Sequence, residues 1–230
     1  MTETRITSAT YDQIAADYAA RWAAYEPLAE ARARFAARLV LGARVLDVGC
    51  GPGWDAARLR ELGLRVCGLD RSRGMLAEAR SRDLTLLLGD MRALPVRDGA
   101  LDGLWVCASF LHIPKRDGPA VLRAFGRALC PGGIMYVCVK QGDGERWVEH
   151  SAGRQRFFAF YSEREFDERL VAHGFTVLEG WIADDNLGRP ERWINRLATV
   201  DRELRIEDRR LSSRFHRRSA VVDSERTTDA

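Results

Sequence analysis

A turn with glycine at every second position, Gly49, Gly51 and Gly53, is the part of the sequence best suited to hold a ligand. It follows the apolar run 45–48, which is typical of a buried parallel strand, and it leads into a segment that suits a helix. Glycines allow a sharp turn and let a ligand approach the main chain without meeting a Cβ atom. Such a turn between a strand and a helix predicts a site for a nucleotide-like molecule.

Two acidic residues end the next two predicted strands. Asp70 ends the second strand, where a carboxylate can accept both hydroxyls of a ribose, and Asp90, followed by Met91, ends the third. The carboxyl ends of neighbouring parallel strands line one crevice, so these groups are expected to face the same ligand as the glycines. Pro52 removes an N–H group from the turn, which favours a ligand without phosphates. Residues 51–56 nevertheless fit the dinucleotide pattern G-x-G-x-x-A, so a nicotinamide cofactor stays open here.

Together these motifs resemble those of class I S-adenosylmethionine-dependent methyltransferases. The resemblance covers roughly residues 10–200 and rests on VLDVGCGPG at 45–53, Asp70, Gly89-Asp90-Met91 and LCPGG at 129–133. The most similar group is the small-molecule group that includes the ubiquinone/menaquinone methyltransferase-like ("type 11") enzymes. The resemblance implies S-adenosyl-L-methionine as the cofactor and methyl transfer to a small molecule by in-line displacement. It does not indicate the acceptor, or whether the methyl group goes to oxygen, nitrogen or carbon.

The resemblance also assigns a set of residues to the cofactor. They are Gly49, Cys50, Gly51 and Gly53 in the glycine turn beside the methionine part, Asp70 at the ribose, Arg71, Met75, Asp90 and Met91 around the adenine, and Cys107 and Ala108 near the sulfonium. Asp90 would accept the adenine amino group. Tyr11 and Tyr18 lie on a predicted helix whose counterpart in the family folds over the cofactor as a lid, although aromatic residues on an apolar stripe are more often packing.

The histidine in the segment that directly follows the fourth predicted strand is the candidate catalytic residue. His112 ends the segment 109–112, where the family places residues that face the substrate. The ordinary pKa of an imidazole suits proton abstraction near neutrality, so His112 is predicted to act as a general base. Methyl transfer can also proceed through proximity and orientation alone, in which case His112 would only hydrogen-bond a loop.

The order of predicted elements favours an α/β fold. Strands and helices alternate over 45–140, which indicates a doubly wound, Rossmann-like parallel sheet with helices on both faces. Two further strands, 175–181 and 193–199, would add the antiparallel hairpin that ends such sheets in the family, giving a seven-stranded mixed sheet. The predicted division is an N-terminal helical lid (1–42), a methyltransferase domain (43–200) and a charged, partly disordered tail (201–230).

The segments around this sheet are predicted in less detail. Residues 1–9 are expected to be frayed, and Pro27 should separate a helix that ends near Trp22 from a second helix over 28–41. Residues 131–133 predict a turn before the fifth strand. The span 140–161 is predicted to be a loop that covers the substrate. The cationic and aromatic residues of this cover could bind a planar or acidic small molecule or pack on the sheet; they are Arg154, Arg156, Phe157, Phe158 and Tyr161.

Composition limits the other classes of function. The chain has 230 residues and a net charge of only +3, and no D-P-P-Y motif follows the fourth strand, so a nucleic-acid partner is not expected. No apolar run approaches the ~18 residues of a membrane span, and the five cysteines occur singly, which predicts a cytoplasmic protein without a metal site. A monomer or homodimer is expected. A nicotinamide-dependent oxidoreductase and a non-catalytic S-adenosylmethionine-binding protein that acts through partners stay open as alternatives.

Overall fold

The computed structural model describes residues 2–23, 28–150, 153–185 and 189–200, all within a unit that spans Met1–Val200. The α-helices in these ranges are α1 (Glu3–Trp22), α2 (Ala29–Ala36), α3 (Trp54–Glu61), α4 (Arg73–Ala79), α5 (Gly118–Ala128) and α6 (Glu163–Ala172). The strands are β1 (Arg44–Val48), β2 (Arg65–Asp70), β3 (Thr85–Leu88), β4 (Leu101–Cys107), β5 (Leu129–Lys140), β6 (Glu145–Glu149), β7 (Gln155–Ala159), β8 (Phe175–Asp184) and β9 (Arg192–Val200).

One mixed sheet organises the chain, in the strand order β3-β2-β1-β4-β5-β9-β8. The first five strands of this order are parallel, whereas β9 runs antiparallel to both β5 and β8. The predicted seven-stranded α/β sheet with a terminal antiparallel hairpin is therefore confirmed. Val48 pairs with Leu69 at the carboxyl ends of β1 and β2, so the glycine turn and Asp70 lie at the same edge of the sheet.

Alternate residues of the central strands pack on opposite faces of this sheet. Val45, Trp105 and Tyr136 belong to a core with Phe35 of α2 and Leu59 of α3, and the Trp105 and Tyr136 rings stack with centroids 4.0 Å apart. The intervening residues of these strands belong to a second core with α5 and α6. Both faces are covered, which explains why the sequence of each strand is almost continuously apolar.

The beginning of the chain corrects one prediction. Residues 1–9 were expected to be frayed, but α1 begins at Glu3. Thr4, Thr7 and Thr10 recur at helical spacing and are buried. The Thr7 Oγ1 accepts a hydrogen bond from the Phe157 N–H at 3.0 Å, and the Thr10 hydroxyl donates to the Gln155 carbonyl at 2.7 Å. The prediction was wrong because it considered only apolar side chains, whereas here a stripe of threonines joins the helix to β7.

Two element boundaries also differ from the predictions. The helix expected over 28–41 ends at Ala36 and is followed by turns. The turn expected at 131–133 lies inside β5, which begins at Leu129. There the pairing with β4 is irregular, and Gly132 adopts a φ of 78°. The Pro-Gly-Gly sequence thus forms a bulge within a paired strand rather than a turn before it.

The segment 140–161 is a hairpin rather than a loop. β6 and β7 pair antiparallel, with Trp147 opposite Phe157. Phe157 and Phe158 are buried, and β7 packs against α1. The prediction of a long loop was wrong because the residues of β6 are mostly polar and exposed, so this short strand has no apolar pattern in the sequence.

Some predictions fall outside the described residues. These are the helix break at Pro27 and the character of the tail over 201–230. In the described ranges, no helix combines the length and the apolar character that crossing a membrane requires.

Candidate active site

Two adjoining cavities lie at the carboxyl ends of the parallel strands. The smaller has a volume of about 140 Å³ and the larger of about 570 Å³. Both are lined by Tyr11, Tyr18, Gly49, Gly51, Cys107, Ala108 and His112. Two molecules bound in these cavities would meet at this shared boundary.

Each of the three glycines of the turn is needed for a different structural reason. All adopt positive φ angles, 76° at Gly49, 53° at Gly51 and 81° at Gly53. A Cβ atom on Gly49 would lie 2.4 Å from the Ser109 Cβ, and one on Gly53 would lie 2.8 Å from the Leu84 Cδ1. A Cβ atom on Gly51 would meet no protein atom within 4 Å, and Gly51 lines both cavities. Gly51 is therefore the glycine whose missing side chain leaves room for a ligand.

Gly53 and Cys50 have different surroundings from Gly51. Gly53 lines neither cavity, and a Cβ atom there would meet Leu84 and Ala79 at the start of α3. Cys50 lines only the larger cavity, while its N–H donates to the Leu69 carbonyl at 3.0 Å. The alternating glycines in the sequence could not distinguish a position that faces a ligand from one that faces a neighbouring helix.

Asp70 joins the glycine turn to the start of α4. Its Oδ2 accepts the Gly51 N–H at 2.8 Å, and its Oδ1 accepts the Ser72 N–H at 2.8 Å. Burial raises the pKa of the Asp70 carboxyl, although these backbone hydrogen bonds partly offset that effect. A carboxylate offers about four acceptor positions in total, so each oxygen of Asp70 can still accept a hydroxyl from the smaller cavity, which it lines.

Asp90 lies between two arginines at the far end of the smaller cavity. The Arg92 Nη2 donates to the Asp90 Oδ2 at 2.7 Å, the Arg92 N–H donates to Oδ1 at 3.0 Å, and Arg71 forms an ion pair with the same carboxylate. Burial raises the pKa of Asp90, but the hydrogen bonds and positive charges of the two arginines outweigh this and lower it. Asp90 is therefore an ionised acceptor, and an approaching amino group would share it with both guanidinium groups.

Helix α1 covers both cavities. The Asp12 Oδ1 accepts the Ser72 hydroxyl at 2.7 Å and the Gly74 N–H at 2.9 Å, which fixes α1 on the first turn of α4. A Cβ atom on Gly74 would lie 2.7 Å from the Asp12 carbonyl oxygen, so the close approach of the two helices needs this glycine. The Tyr11 and Tyr18 rings lie edge to face with centroids 5.8 Å apart and form part of the shared boundary.

The end of β4 supplies the opposite side of the shared boundary. Ala108 adopts a φ of 48°, a left-handed conformation that costs a non-glycine residue roughly 1–2 kcal/mol. Its N–H donates to the Cys138 Sγ at 3.2 Å, and the Cys107 Sγ lies 3.5 Å from the same sulfur. This sharp turn places the backbone of Ala108, rather than a longer side chain, where the two cavities meet.

His112 is held in one orientation by two hydrogen bonds. Its Nδ1 lies 2.7 Å from the Phe157 carbonyl oxygen, which requires a proton on Nδ1. Its Nε2 therefore accepts the Tyr11 hydroxyl, at 2.9 Å. Burial lowers the pKa of His112 to about 3, with a further contribution from the charge of Arg156. The expectation of an ordinary imidazole pKa is therefore wrong, and His112 is a neutral, weakly basic group.

Known proteins share part of this sequence and its fold. Residues 45–133 match the family model of a methyltransferase domain. That segment is a methyltransferase domain. Methyltransferase GfsG of Streptomyces halstedii is 38% identical over 127 residues, which cover 49% of this chain and 45% of that protein. The demethylmenaquinone methyltransferase of Corynebacterium kroppenstedtii is 35% identical over 97 residues, 42% of each chain. The chain thus aligns with less than half the length of these relatives.

A solved structure extends the similarity of the fold beyond the methyltransferase domain. The 1,6-didemethyltoxoflavin-N1-methyltransferase of Burkholderia thailandensis, solved with 1,6-didemethyltoxoflavin and S-adenosylhomocysteine, superposes with a TM-score of 0.71 at 21% identity. The match covers 86% of this chain and 88% of that one. This similarity confirms the α/β fold class over most of the chain.

Most of the predicted site residues gather around the smaller cavity of the methyltransferase domain. They are Tyr11, Tyr18, Gly49, Gly51, Asp70, Arg71, Met75, Asp90, Met91, Cys107, Ala108 and His112. Thr4, Thr7 and Ser8 of α1, which were not predicted, also line this cavity. The helical spacing of the threonines would have revealed them. Within the described ranges, no group of three or more His, Cys, Asp or Glu side chains could hold a metal ion.

The low pKa of His112 predicts a pH dependence of stability. Above pH 6.5 the imidazole is neutral in both states, whereas at lower pH the unfolded chain binds a proton that the folded protein excludes. We expect the free energy of unfolding to fall by about 2 kcal/mol between pH 7.5 and pH 5 through this residue alone. Urea unfolding at both pH values should show that the free energy of unfolding falls by about 2 kcal/mol less in His112→Gln than in the unaltered protein. Equal losses in the two proteins would contradict the assignment.

Proposed function

We propose that this protein transfers a methyl group from S-adenosylmethionine to a small-molecule acceptor. The observation that carries the proposal is the pair of cavities that meet at Gly51, Ala108 and the Tyr11–His112 pair. One cavity offers the groups that an adenosine needs, and the other is large enough for a second molecule. The methyltransferase domain and the relatives named as methyltransferases support the same reaction.

The residues of the smaller cavity fit S-adenosylmethionine. The missing Cβ atom of Gly51 leaves space beside the backbone for the methionine part, and the free acceptor positions of Asp70 suit the two ribose hydroxyls. Asp90 would accept the adenine amino group next to its arginines, while Met75 and Met91 supply apolar contacts for the ring. No donor is offered for a pyrophosphate at Pro52, which disfavours the nicotinamide alternative.

The chemistry requires little of the protein beyond orientation. The sulfonium of the cofactor supplies an electrophilic methyl group, and an acceptor atom must be held near ~3 Å from it and in line with the bond that breaks. Tyr11 and Tyr18 present aromatic rings at this point, which suit a neighbouring cation. Helix α1 packs against β7, and Tyr11 of α1 and Phe158 of β7 both line the larger cavity. His112, neutral and fixed, orients the Tyr11 hydroxyl rather than removing a proton.

We further propose that the acceptor is not a nucleic acid, and that the protein works in the cytoplasm as a monomer or homodimer. Support comes from the net charge of +3 and from the free thiols of all five cysteines. A covered cavity also suits a small molecule better than a polymer.

Calorimetry with S-adenosylmethionine, S-adenosylhomocysteine and NADH tests the proposed cofactor. We expect saturable binding of the two sulfur compounds and none of NADH. A screen with tritiated S-adenosylmethionine against phenols, amines and small acids then tests the transfer itself. Binding of NADH alone would replace the proposal with an oxidoreductase, and cofactor binding without transfer to any acceptor would favour a non-catalytic role.

A further inference from the structure

The larger cavity has an unusual distribution of charge. Three of its cationic side chains are each paired with a carboxylate: Arg32 with Asp55 at 2.6 Å, Lys140 with Glu191 at 2.7 Å and Arg189 with Asp185 at 2.6 Å. Their charges are compensated within the protein. These side chains line the cavity, but they need no anionic ligand to balance their charge.

Arg156 lines the same cavity and is different. Its Nη1 donates to the Tyr11 hydroxyl at 3.1 Å, and its guanidinium lies over the Phe158 ring at 5.3 Å and the Tyr11 ring at 5.5 Å. Its Nε is buried and has no hydrogen-bond partner. Across the described ranges, no carboxylate contacts Arg156. A guanidinium stays charged at any accessible pH, so burying it without a counter-ion is unfavourable, and a bound anion would remove that cost.

The two groups next to Arg156 at the shared boundary, Tyr11 and His112, are poor bases. The lone pair of the His112 Nε2 is occupied by the Tyr11 hydroxyl, and the His112 Nδ1 proton is held by the Phe157 carbonyl. Burial raises the pKa of the Tyr11 hydroxyl and lowers that of His112, so neither group readily removes a proton near neutral pH. An acceptor that arrives already ionised needs no base, whereas a neutral alcohol would need one.

Aromatic side chains form much of the remaining wall. They are Trp22, Trp54, Phe158, Trp181 and Trp193. Such side chains favour flat ring systems, which they contact by offset stacking or edge to face. A cationic amine would instead meet the uncompensated charge of Arg156.

We propose that the methyl acceptor is a planar aromatic acid, bound as its anion with the ionised oxygen at Arg156. This inference rests on the proposed function and assigns the substrate class and the anchoring residue. The ionised oxygen forms a bond to the methyl carbon while the carbon–sulfur bond breaks, and the electron pair of that bond stays on sulfur. The anion and the sulfonium become a neutral methyl ester or ether and a neutral sulfide, and no proton is transferred.

Three probes of similar shape and different charge test this inference. The protein is first titrated with S-adenosylhomocysteine and then, saturated with it, with 2-naphthoate, 2-naphthamide and 2-naphthylmethylamine at pH 7.5. We expect the anion to bind at least about tenfold more tightly than the amide, and the amine not to bind. Arg156→Gln should remove the difference between the anion and the amide, whereas Arg156→Lys should retain part of it. Arg146→Gln is the matched control, because Arg146 is exposed on the same hairpin and lines neither cavity.

The outcomes separate the substrate class from the proposed function. The inference is overturned if the amide or amine binds as tightly as the anion, if no probe binds, or if Arg156→Gln keeps the preference for the anion. A loss of S-adenosylhomocysteine affinity in Arg156→Gln would overturn it too, because Arg156 would then hold the carboxylate of the cofactor. Failure of the unaltered protein to bind S-adenosylhomocysteine would instead refute the proposed function, and the inference with it.

Discussion

Replacing Asp70 by alanine is expected to lower the affinity for S-adenosylhomocysteine by at least about 100-fold. Asp70 offers two ionised acceptors to the ribose, and a hydrogen bond to a charged group contributes about 1.5–3 kcal/mol. The substitution also leaves the Gly51 and Ser72 N–H groups without their partner, which loosens the turn that the methionine part would contact. Calorimetry on the purified full chain measures the affinity directly.

Two further variants separate binding from folding in this experiment. Asp70→Asn keeps the shape of the side chain but presents an amide NH2 group to one of the two backbone donors, so its affinity should fall almost as far as that of the alanine variant. Asp98→Ala, which removes an exposed carboxylate that lines neither cavity, should bind like the unaltered protein. An affinity within threefold of the unaltered protein in Asp70→Ala would remove Asp70 from the cofactor site.

A methyl group added at Gly51 is expected to abolish cofactor binding while leaving the fold intact. The new Cβ atom would meet no protein atom within 4 Å, but it would project into space that both cavities share. The positive φ of 53° adds a backbone cost of roughly 1–2 kcal/mol. We expect Gly51→Ala to unfold at a slightly lower urea concentration and to show no heat with S-adenosylhomocysteine.

Gly144→Ala is the matched control for the backbone cost. Gly144 has a φ of 70° and also has no protein atom near the position of a Cβ, but it lies outside both cavities. Both variants should therefore lose similar stability, and only Gly51→Ala should lose the cofactor. Gly49→Ala is expected to be far less stable than either, because its Cβ would clash with Ser109. Retained binding in a folded Gly51→Ala protein would contradict the placement of the cofactor.

The arrangement of the sheet could be predicted because it depends on local patterns. Apolar runs followed by glycine or aspartate mark the ends of parallel strands, and neighbouring strands must place those ends at one edge. The terminal hairpin was also predicted, because sheets of the family that the sequence resembles end in one and two further strands were expected over 175–181 and 193–199. The N-terminal threonines were missed because their hydroxyl groups bond partners far along the chain, as Thr7 does with the Phe157 N–H. The β6–β7 hairpin was missed because most residues of β6 are polar and exposed.

The roles of individual residues depended more on contacts that no local pattern contains. Gly51 and Gly53 look equivalent in the sequence, yet one faces a cavity and the other faces Leu84. His112 looked like an ordinary imidazole, but burial and its fixed hydrogen bonds make it a poor base. In the sequence, Arg156 is one of several basic residues in a polar stretch. Only the fold shows that it lies beside Tyr11 and contacts no carboxylate of the described residues.

The sequence by itself thus determined the fold class, the glycine turn and the two carboxylates that follow β2 and β3. These features follow from strand and turn preferences that act over a few residues. The tertiary structure alone decided which glycine leaves room for a ligand, that His112 is neutral and that Arg156, half-buried beside the larger cavity, contacts no carboxylate of the described residues. Those properties arise from burial and from partners distant in the sequence: about 30 to 60 residues for the glycines, and more than 100 between Tyr11 and His112 or Arg156.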